Sequence, residues 1–405
     1  MPRPKRVYEL QLKYLKSDDN LLNLSRLWTE MKNKTFILFI VAAFLSGGCS
    51  GVASTLADFD VPVYIPEYAG GFSIAGADGR KSTVITVTNP WQGAEGVVDR
   101  LLVRRGGEDV PAGFEGQVVE GEASRVICMS STHVAMLEAV GAAGTVVGVS
   151  GLRYICNPTV RSNGAIDVGY DESIDYESVV ALEPDIVFLY GVSGMSVAQK
   201  KLDELGIPYI YIGEYVEQNP LGKAEWMVAV AETVGKRDLA EEEFRGVVSR
   251  YVDLKSQISA SVCDAPSVMF NVPYADTWFM PTARSYMIRL VEDAGGEYVY
   301  KQNRSGGSVP VDMEEALLLM SQADVWLNVQ AESVDALCRR YPRFRSMPCV
   351  VSGKLCNCDR RSSEGGGNDF WETGVVEPDI VLKDLARILH PELFDEYEPV
   401  YFRQL

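Results

Sequence analysis

The stretch Leu239–Ser261 reads LAEEEFRGVVSRYVDLKSQISAS. Its apolar residues Phe244, Val247, Val248, Tyr251, Leu254 and Ile258 recur at i, i+3, i+4 and i+7, one apolar stripe at helical period. Glu241, Glu242 and Glu243 load the opening turn with negative charge, which suits the positive end of a helix dipole. No proline interrupts the run, and Pro266 follows its end. At 1.5 Å per residue the predicted helix spans about 34 Å, the width of a small domain.

Similar material stands on both sides of it. Arg125–Val149 (RVICMSSTHVAMLEAVGAAGTVVGV) reads as strand, polar loop, helix and strand, and Pro266–Val299 (PSVMFNVPYADTWFMPTARSYMIRLVEDAGGEYV) repeats the plan. Asp175-Tyr176-Glu177, an apolar helix and Pro184-Asp185-Ile186-Val187 are echoed by Asp312-Met313-Glu314, an apolar helix and Ala323-Asp324-Val325-Trp326. The fold class read from this is α/β, with two parallel-sheet lobes joined by one long helix and a small N-terminal β element. The alternative is an ordinary helix inside one large α/β domain.

In the first half, Val126–Met129, Val146–Val149, Ile186–Tyr190 and Tyr209–Ile212 read as buried strands. Helices are expected around His133–Val140, Tyr176–Leu182 and Val197–Leu205, and such alternation argues a parallel sheet covered on both faces. Upstream, Phe72–Ile74 and Thr83–Thr88 flank Asp78-Gly79, a hairpin turn signal. Pro220-Leu221-Gly222 opens a helix through Val234, and Pro378–Leu389 reads as a closing helix. The expected organisation is a leader over 1–48, a tether and β element over 49–124, and an N-terminal lobe over 125–220. Connecting helices over 221–262 and a C-terminal lobe over 263–405 complete it.

The leader has its own logic. Met31 begins a short basic region with Lys32 and Lys34, followed by the apolar run Phe36–Leu45 and then Ser46-Gly47-Gly48-Cys49. A run of this length is too short to span a bilayer and has the shape of a signal-peptide core. Small residues ending in Cys resemble a lipobox, so Cys49 is the expected lipidation site, although Leu45 sits one place further from it than usual. Met31 is then the expected initiator; the alternative is a cytosolic extension in which Phe36–Leu45 is a buried strand. The chain carries a formal charge of −18, and residues 1–48 hold eight basic and four acidic residues, so the mature chain stands at −22. Such a chain offers no basic face to nucleic acid. If Cys49 carries lipid, seven cysteines remain, and the crowding of Cys338, Cys349, Cys356 and Cys358 suggests local disulfides rather than a metal site.

Catalytic signals are lacking. The only histidines are His133 and His390, and there is no Gly-x-Ser-x-Gly, Walker-type loop or Cys-x-x-Cys. Ser130, Ser131, Thr132 and His133 more simply cap a helix or bond a ligand. One usable histidine is too few for a selective bare-metal site. No catalytic residue, metal ligand or cofactor is therefore assigned.

The order and spacing of Arg125–Val149, Asp175–Val187, Leu202–Tyr211, Pro220–Lys236, Met313–Trp326 and Val376–Leu393 resemble the substrate-binding proteins of ABC importers whose lobes are joined by a single helix. The resemblance implies a periplasmic, membrane-anchored lipoprotein that hands an iron chelate (siderophore or haem) or, alternatively, cobalamin to an ABC permease and its ATPase. A cell-surface lipoprotein enzyme on the same scaffold is the distant alternative. It also implies one docking carboxylate on each lobe, for which Glu177 and Glu314 occupy matching places. Open α/β sheets bind ligands at the C-terminal ends of their strands. The loops there carry the expected ligand residues Ser131, His133, Arg153, Tyr154, Tyr190, Tyr274, Trp278, Arg284, Tyr286, Arg304 and Trp371. Their arginines fit carboxylate or catecholate oxygens, and their rings fit a flat macrocycle.

Overall fold

Short runs rich in Val, Ile, Phe and Tyr, spaced by helical stretches, build three five-stranded sheets and one three-stranded ribbon among the described residues. The computed structural model describes residues 54–192, 194–301 and 308–405. The leader, Cys49 and Arg304 lie outside them.

The N-terminal sheet runs β1 (Val61–Tyr64), β2 (Phe72–Gly76), β3 (Thr83–Thr88), β4 (Val98–Arg104) and β5 (Gln117–Glu120) in that order. Its first four strands are antiparallel neighbours, and β5 lies parallel to β4. The β2–β3 hairpin turns at Gly79, whose φ of 73° suits a residue without a Cβ. Side chains alternate with the pleat: Phe72, Ile74, Ile85, Val87, Leu101 and Val103 face the main core, while Val84 and Leu102 pack with Phe59 and Ala77 on the other face.

The next sheet is all parallel, as the strand–helix alternation requires. Its strands are β6 (Val126–Cys128), β7 (Val146–Val149), β8 (Ile166–Asp167), β9 (Ile186–Leu189) and β10 (Tyr209–Tyr211), in the order β10-β9-β6-β7-β8. Both faces are covered. Val126, Cys128, Ile186, Phe188 and Ile210 enter the main core, while Ile127, Val187, Leu189, Tyr209 and Tyr211 enter a second one.

The C-terminal lobe contains β11 (Ser267–Phe270), β12 (Pro273–Tyr274), β13 (Thr277–Met280), β14 (Glu297–Tyr298), β15 (Val309–Asp312), β16 (Val325–Leu327), β17 (Leu355–Asn357) and β18 (Arg403–Gln404). One sheet has the order β14-β11-β16-β17-β18, parallel except for β18. The antiparallel ribbon β12-β13-β15 was not foreseen, because Tyr274–Tyr286 reads as a loop from sequence.

The joining helix spans Arg237–Ser261, 25 residues or about 37 Å. Its stripe of Ala240, Phe244, Val247, Tyr251 and Ile258 is buried between the Pro220–Thr233 and Pro378–Leu389 helices. Polar bonds fix each end to a different lobe. Arg237 reaches Glu232 at 3.2 Å at the start; later Tyr251 donates to Asp293 at 2.7 Å and Arg250 to Asp379 at 2.5 Å.

The Pro220–Thr233 helix is buried on every side and carries three buried charged residues, Lys223, Glu225 and Glu232. Burial of charge demands partners. Glu225 accepts from the Tyr64 hydroxyl and from the backbone N–H groups of Glu67, Tyr68 and Ala69, at 2.6–2.8 Å. Glu232 accepts from Thr83 at 2.5 Å and Arg105 at 2.7 Å. These carboxylates clamp the N-terminal sheet onto the lobe.

The expected local disulfides do not form. Cys128, Cys156, Cys263, Cys338, Cys349, Cys356 and Cys358 are all free thiols. Cys338, Cys349, Cys356 and Cys358 behave instead as small apolar side chains of the C-terminal core, where free cysteine is at home.

Candidate ligand cavity between the lobes

A cavity of about 640 Å³ lies between the two lobes, at the C-terminal ends of β6, β9, β10, β11 and β16. From the N-terminal lobe come Met129, Ser130, Ser131 and Thr132 after β6, Tyr190 and Val192 after β9, and Glu214–Gln218 after β10. Lys223 joins them from the buried helix, and Gln92 from the β3–β4 loop of the N-terminal sheet. The C-terminal lobe supplies Phe270, Asn271, Thr282, Ser285, Tyr286, Met287, Asn328, Cys358, Phe370, Trp371, Val375 and Phe402.

Ser130 caps the Ser131–Ala139 helix by accepting from the Thr132 N–H, which presents the Ser131 and Thr132 side chains at the cavity edge. The Thr132 hydroxyl donates to Glu214 at 2.7 Å, and Lys223 donates to the Glu214 carbonyl at 2.7 Å. The Lys223 ammonium also lies 4.7 Å from the centre of the Tyr286 ring, a contact across the cleft. Burial raises the Glu214 carboxyl above its usual range and lowers the Lys223 ammonium. Glu217 accepts from the N–H groups of Gly70 and Gly71 and from the Trp226 indole, and burial raises it too. Asn271 and Asn328 hold left-handed φ angles of 63° and 56° at their strand ends and bond each other at 2.7 Å.

One boundary of the cavity is a strap from the C-terminal lobe. Ser362–Asn368 forms a small hairpin, and Phe370, Trp371 and Val375 beyond it line the cavity. The strap grips the N-terminal lobe. Glu372 accepts from the backbone N–H groups of Cys156 and Asn157 at 2.7 and 2.8 Å. A Cβ on Gly365 or Gly367 would stand 1.9 or 2.0 Å from the carbonyl oxygens of Arg153 and Tyr154, so only glycine permits the approach. Burial pushes the Glu372 carboxyl up to about 7.

Among the expected ligand residues, Ser131, Tyr190, Tyr286 and Trp371 line this cavity. The others described do not. His133 is fully buried, with its ring edge-on to Phe188 and burial lowering it to about 3, so it is a neutral core side chain. Trp278 is fully buried in the ribbon, donates to the Phe270 carbonyl at 2.8 Å and packs on Trp326 and Phe344. Tyr274 stands exposed at the ribbon's tip, and Arg284 is exposed next to Ser285. Arg153 stacks over Tyr154 beneath the glycine hairpin, outside the cavity. Glu214, Glu217 and Lys223 were missed, although Glu214 lies three residues past the end of β10 and was open to the same rule that found Tyr190. Among the described residues, no group of three or more His, Cys, Asp or Glu is placed to hold a metal ion, and no helix is long and apolar enough to cross a membrane.

Two similar lobes, one joining helix and a cavity between facing strand ends set the frame for comparison with known proteins. Residues 126–361, more than half of the chain, match the sequence profile of the family described as periplasmic binding protein. The chain belongs to the periplasmic binding protein family. Its members bind substrates for ABC importers and do not transform them, so this chain is a binding protein and not an enzyme. The sequence is 26% identical over 346 residues to an uncharacterized lipoprotein of Methanocaldococcus jannaschii, covering 78% of this chain and 80% of that one. The fold is similar to a periplasmic haem-binding protein from Pseudomonas aeruginosa, with a TM-score of 0.55 and 17% identity, over 70% of this chain and 98% of the other. It is also similar to the periplasmic vitamin B12-binding protein of Vibrio cholerae, with a TM-score of 0.51 and 12% identity, over 68% and 99% of the two chains.

Proposed function

We propose that this binding protein is the lipid-anchored carrier of an ABC importer and that its cargo is a corrinoid of the cobalamin type. The composition of the cavity wall carries the ligand class. Tyr190, Tyr215, Phe270, Tyr286, Phe370, Trp371 and Phe402 are aromatic, and no arginine is among the described lining residues. Catecholate or carboxylate siderophores bring negative charge that calls for arginine forks. A corrin ring is flat and rimmed with neutral amides, which both donate and accept hydrogen bonds. Gln92, Gln218, Asn271 and Asn328 are matching amides in the wall.

An iron chelate, with haem foremost, is the second reading. Ferric iron takes phenolate oxygen, and three tyrosine hydroxyl groups line the cavity. Burial raises both Tyr190 and Tyr286, which works against the phenolate at those two, and the propionates of haem would meet Glu214 and Glu217 in the wall, so this reading ranks second. The same fold carries haem in one neighbour and vitamin B12 in another, so both ligands belong in the test.

Anchoring at Cys49 is supported by the leader's basic, apolar, small-then-Cys order and by a relative named as a lipoprotein. For docking to the permease, Glu177 and Glu314 both stand exposed in the first turn of a helix, two residues after a capping Asp175 or Asp312. The two sites differ: Arg343 holds Glu314 through two bonds of 2.7 and 3.0 Å, whereas Glu177 has no ion pair among the described residues. Tryptophan fluorescence titrated with cyanocobalamin, haem and ferric desferrioxamine decides the cargo, and cyanocobalamin is expected to bind most tightly. Tight binding of a free amino acid or sugar, with none of the three recognised, would sink the chelate class.

A further inference from the structure

Aromatic stacking explains how a flat ligand is held but not how it is turned within the cavity. One group on the wall is built for that. Glu214 is only 4% exposed, and its Oε1 is already bonded to the Thr132 hydroxyl at 2.7 Å. Its Oε2 is buried and makes no hydrogen bond of normal geometry, although the N–H groups of Glu214 and Tyr215 lie close enough to favour the ionised form, and the residue lines the cavity. A buried carboxylate oxygen without a donor is unfavourable, and native structures rarely leave one so. The Lys223 ammonium, which donates to the Glu214 carbonyl and lies over the Tyr286 ring, makes no hydrogen bond to this oxygen.

We infer that Glu214 is the polar anchor of the ligand, its Oε2 accepting a hydrogen bond from a donor on the bound chelate, of the amide N–H type. The identity of the donor rests on the corrinoid reading; the open acceptor does not. A ligand edge made of carboxylates is disfavoured there, since it would bring like charge to Glu214 and Glu217 together. The titratable groups around the site are Lys223 from the buried helix, Tyr215 and Glu217 from the same turn, and Tyr286 and Cys358 from the C-terminal lobe. Burial holds the empty Glu214 carboxyl above its usual range, and a donor on Oε2 favours the ionised form. Where the empty carboxyl is protonated, ligand binding expels that proton, and affinity rises with pH through the Glu214 titration.

The test measures dissociation constants for cyanocobalamin, ferric desferrioxamine and haem from pH 5 to 9, in wild type, Glu214→Gln and Glu214→Leu. Thermal melts confirm that each variant is folded. Glutamine keeps the shape and turns an amide N–H toward the cavity when its oxygen faces Thr132, so donor meets donor; leucine offers no acceptor at all. Cyanocobalamin binding is expected to weaken tenfold or more in both variants, with loss of the pH dependence and of the proton released on binding. Cyanocobalamin bound equally by wild type and variants overturns the role of Glu214 and leaves the corrinoid reading standing. No cyanocobalamin binding, but a tenfold loss for ferric desferrioxamine (which carries amide N–H and ammonium donors), overturns the corrinoid reading and supports Glu214. A wild type that takes haem alone, or none of the three, overturns both.

Discussion

The two walls of the cavity are made of different material. Among the described residues, every charged one that lines it, Glu214, Glu217 and Lys223, stands on the N-terminal side. The C-terminal side presents rings, small hydroxyl groups and the amides Asn271 and Asn328, without a charge among its described lining residues. Charge is directional in a low-dielectric cleft, whereas ring stacking tolerates rotation of the ligand in its plane. One wall is therefore suited to orienting a ligand and the other to supplying contact area, although the two lobes repeat the same plan.

The largest expected effect breaks the apolar wall from behind. Trp278→Ala removes a fully buried ring and should lower unfolding stability by about 3–5 kcal/mol in denaturant titrations. A loss of ligand affinity with full stability would instead place Trp278 against the ligand.

Next comes the strap that joins the walls. Because the Glu372 carboxyl is raised to about 7, the folded protein holds its proton where the unfolded chain has released it. Its stabilising contribution is complete at low pH and lost as pH rises through about 7. Glu372→Gln, permanently neutral, removes that dependence. The stability of wild type relative to the variant should fall by about 2 kcal/mol between pH 4.5 and 8, measured by melting at each pH. A constant difference would show that Glu372 does not titrate in this window.

Smaller still is Trp371→Ala. This ring lines the cavity but is 45% exposed without ligand, so binding should weaken by about 1–2 kcal/mol, less than full burial of a ring would give. The smallest effect is on a charge outside both walls. Arg284→Ala should change affinity by less than about 0.5 kcal/mol, as for most surface substitutions. A loss of about 1.5–3 kcal/mol, typical of a hydrogen bond to a charged group, would bring Arg284 into the site after all.

What could be read from the sequence was what depends on local pattern. Val126–Met129 and Ile186–Tyr190 are apolar runs bounded by turn residues, and the Leu239–Ser261 stripe repeats at helical period; both survive as observed elements. The Asp78-Gly79 turn likewise fixes its hairpin. Trp278 shows where such reading stops. Thr277–Met280 is a four-residue strand, too short for alternation to separate it from a loop, and the indole is buried against distant Trp326 and Phe344 where the strand pairs with Val309–Asp312. Lys223 and Glu225 look like surface residues of an ordinary helix. The burial of Glu225 follows from the docking of Tyr64–Ala69 more than 150 residues away in sequence, and that of Lys223 from Glu214 and the Tyr286 ring across the cleft, which no periodicity encodes. The arginines misled for a related reason: sequence places Arg153 and Arg284 on loops near the cleft but does not say which way they turn.

The strap carries a consequence for movement. A pair of bodies joined by one rod is free to bend about it in any direction. Here the rod is Arg237–Ser261, and the Glu372 bonds with the Gly365–Gly367 contact make a second attachment at another point of the cleft. Two such attachments favour rotation about the line through them over bending across it. The mouth would then widen most easily on the side away from that line, which would give any cargo one preferred door.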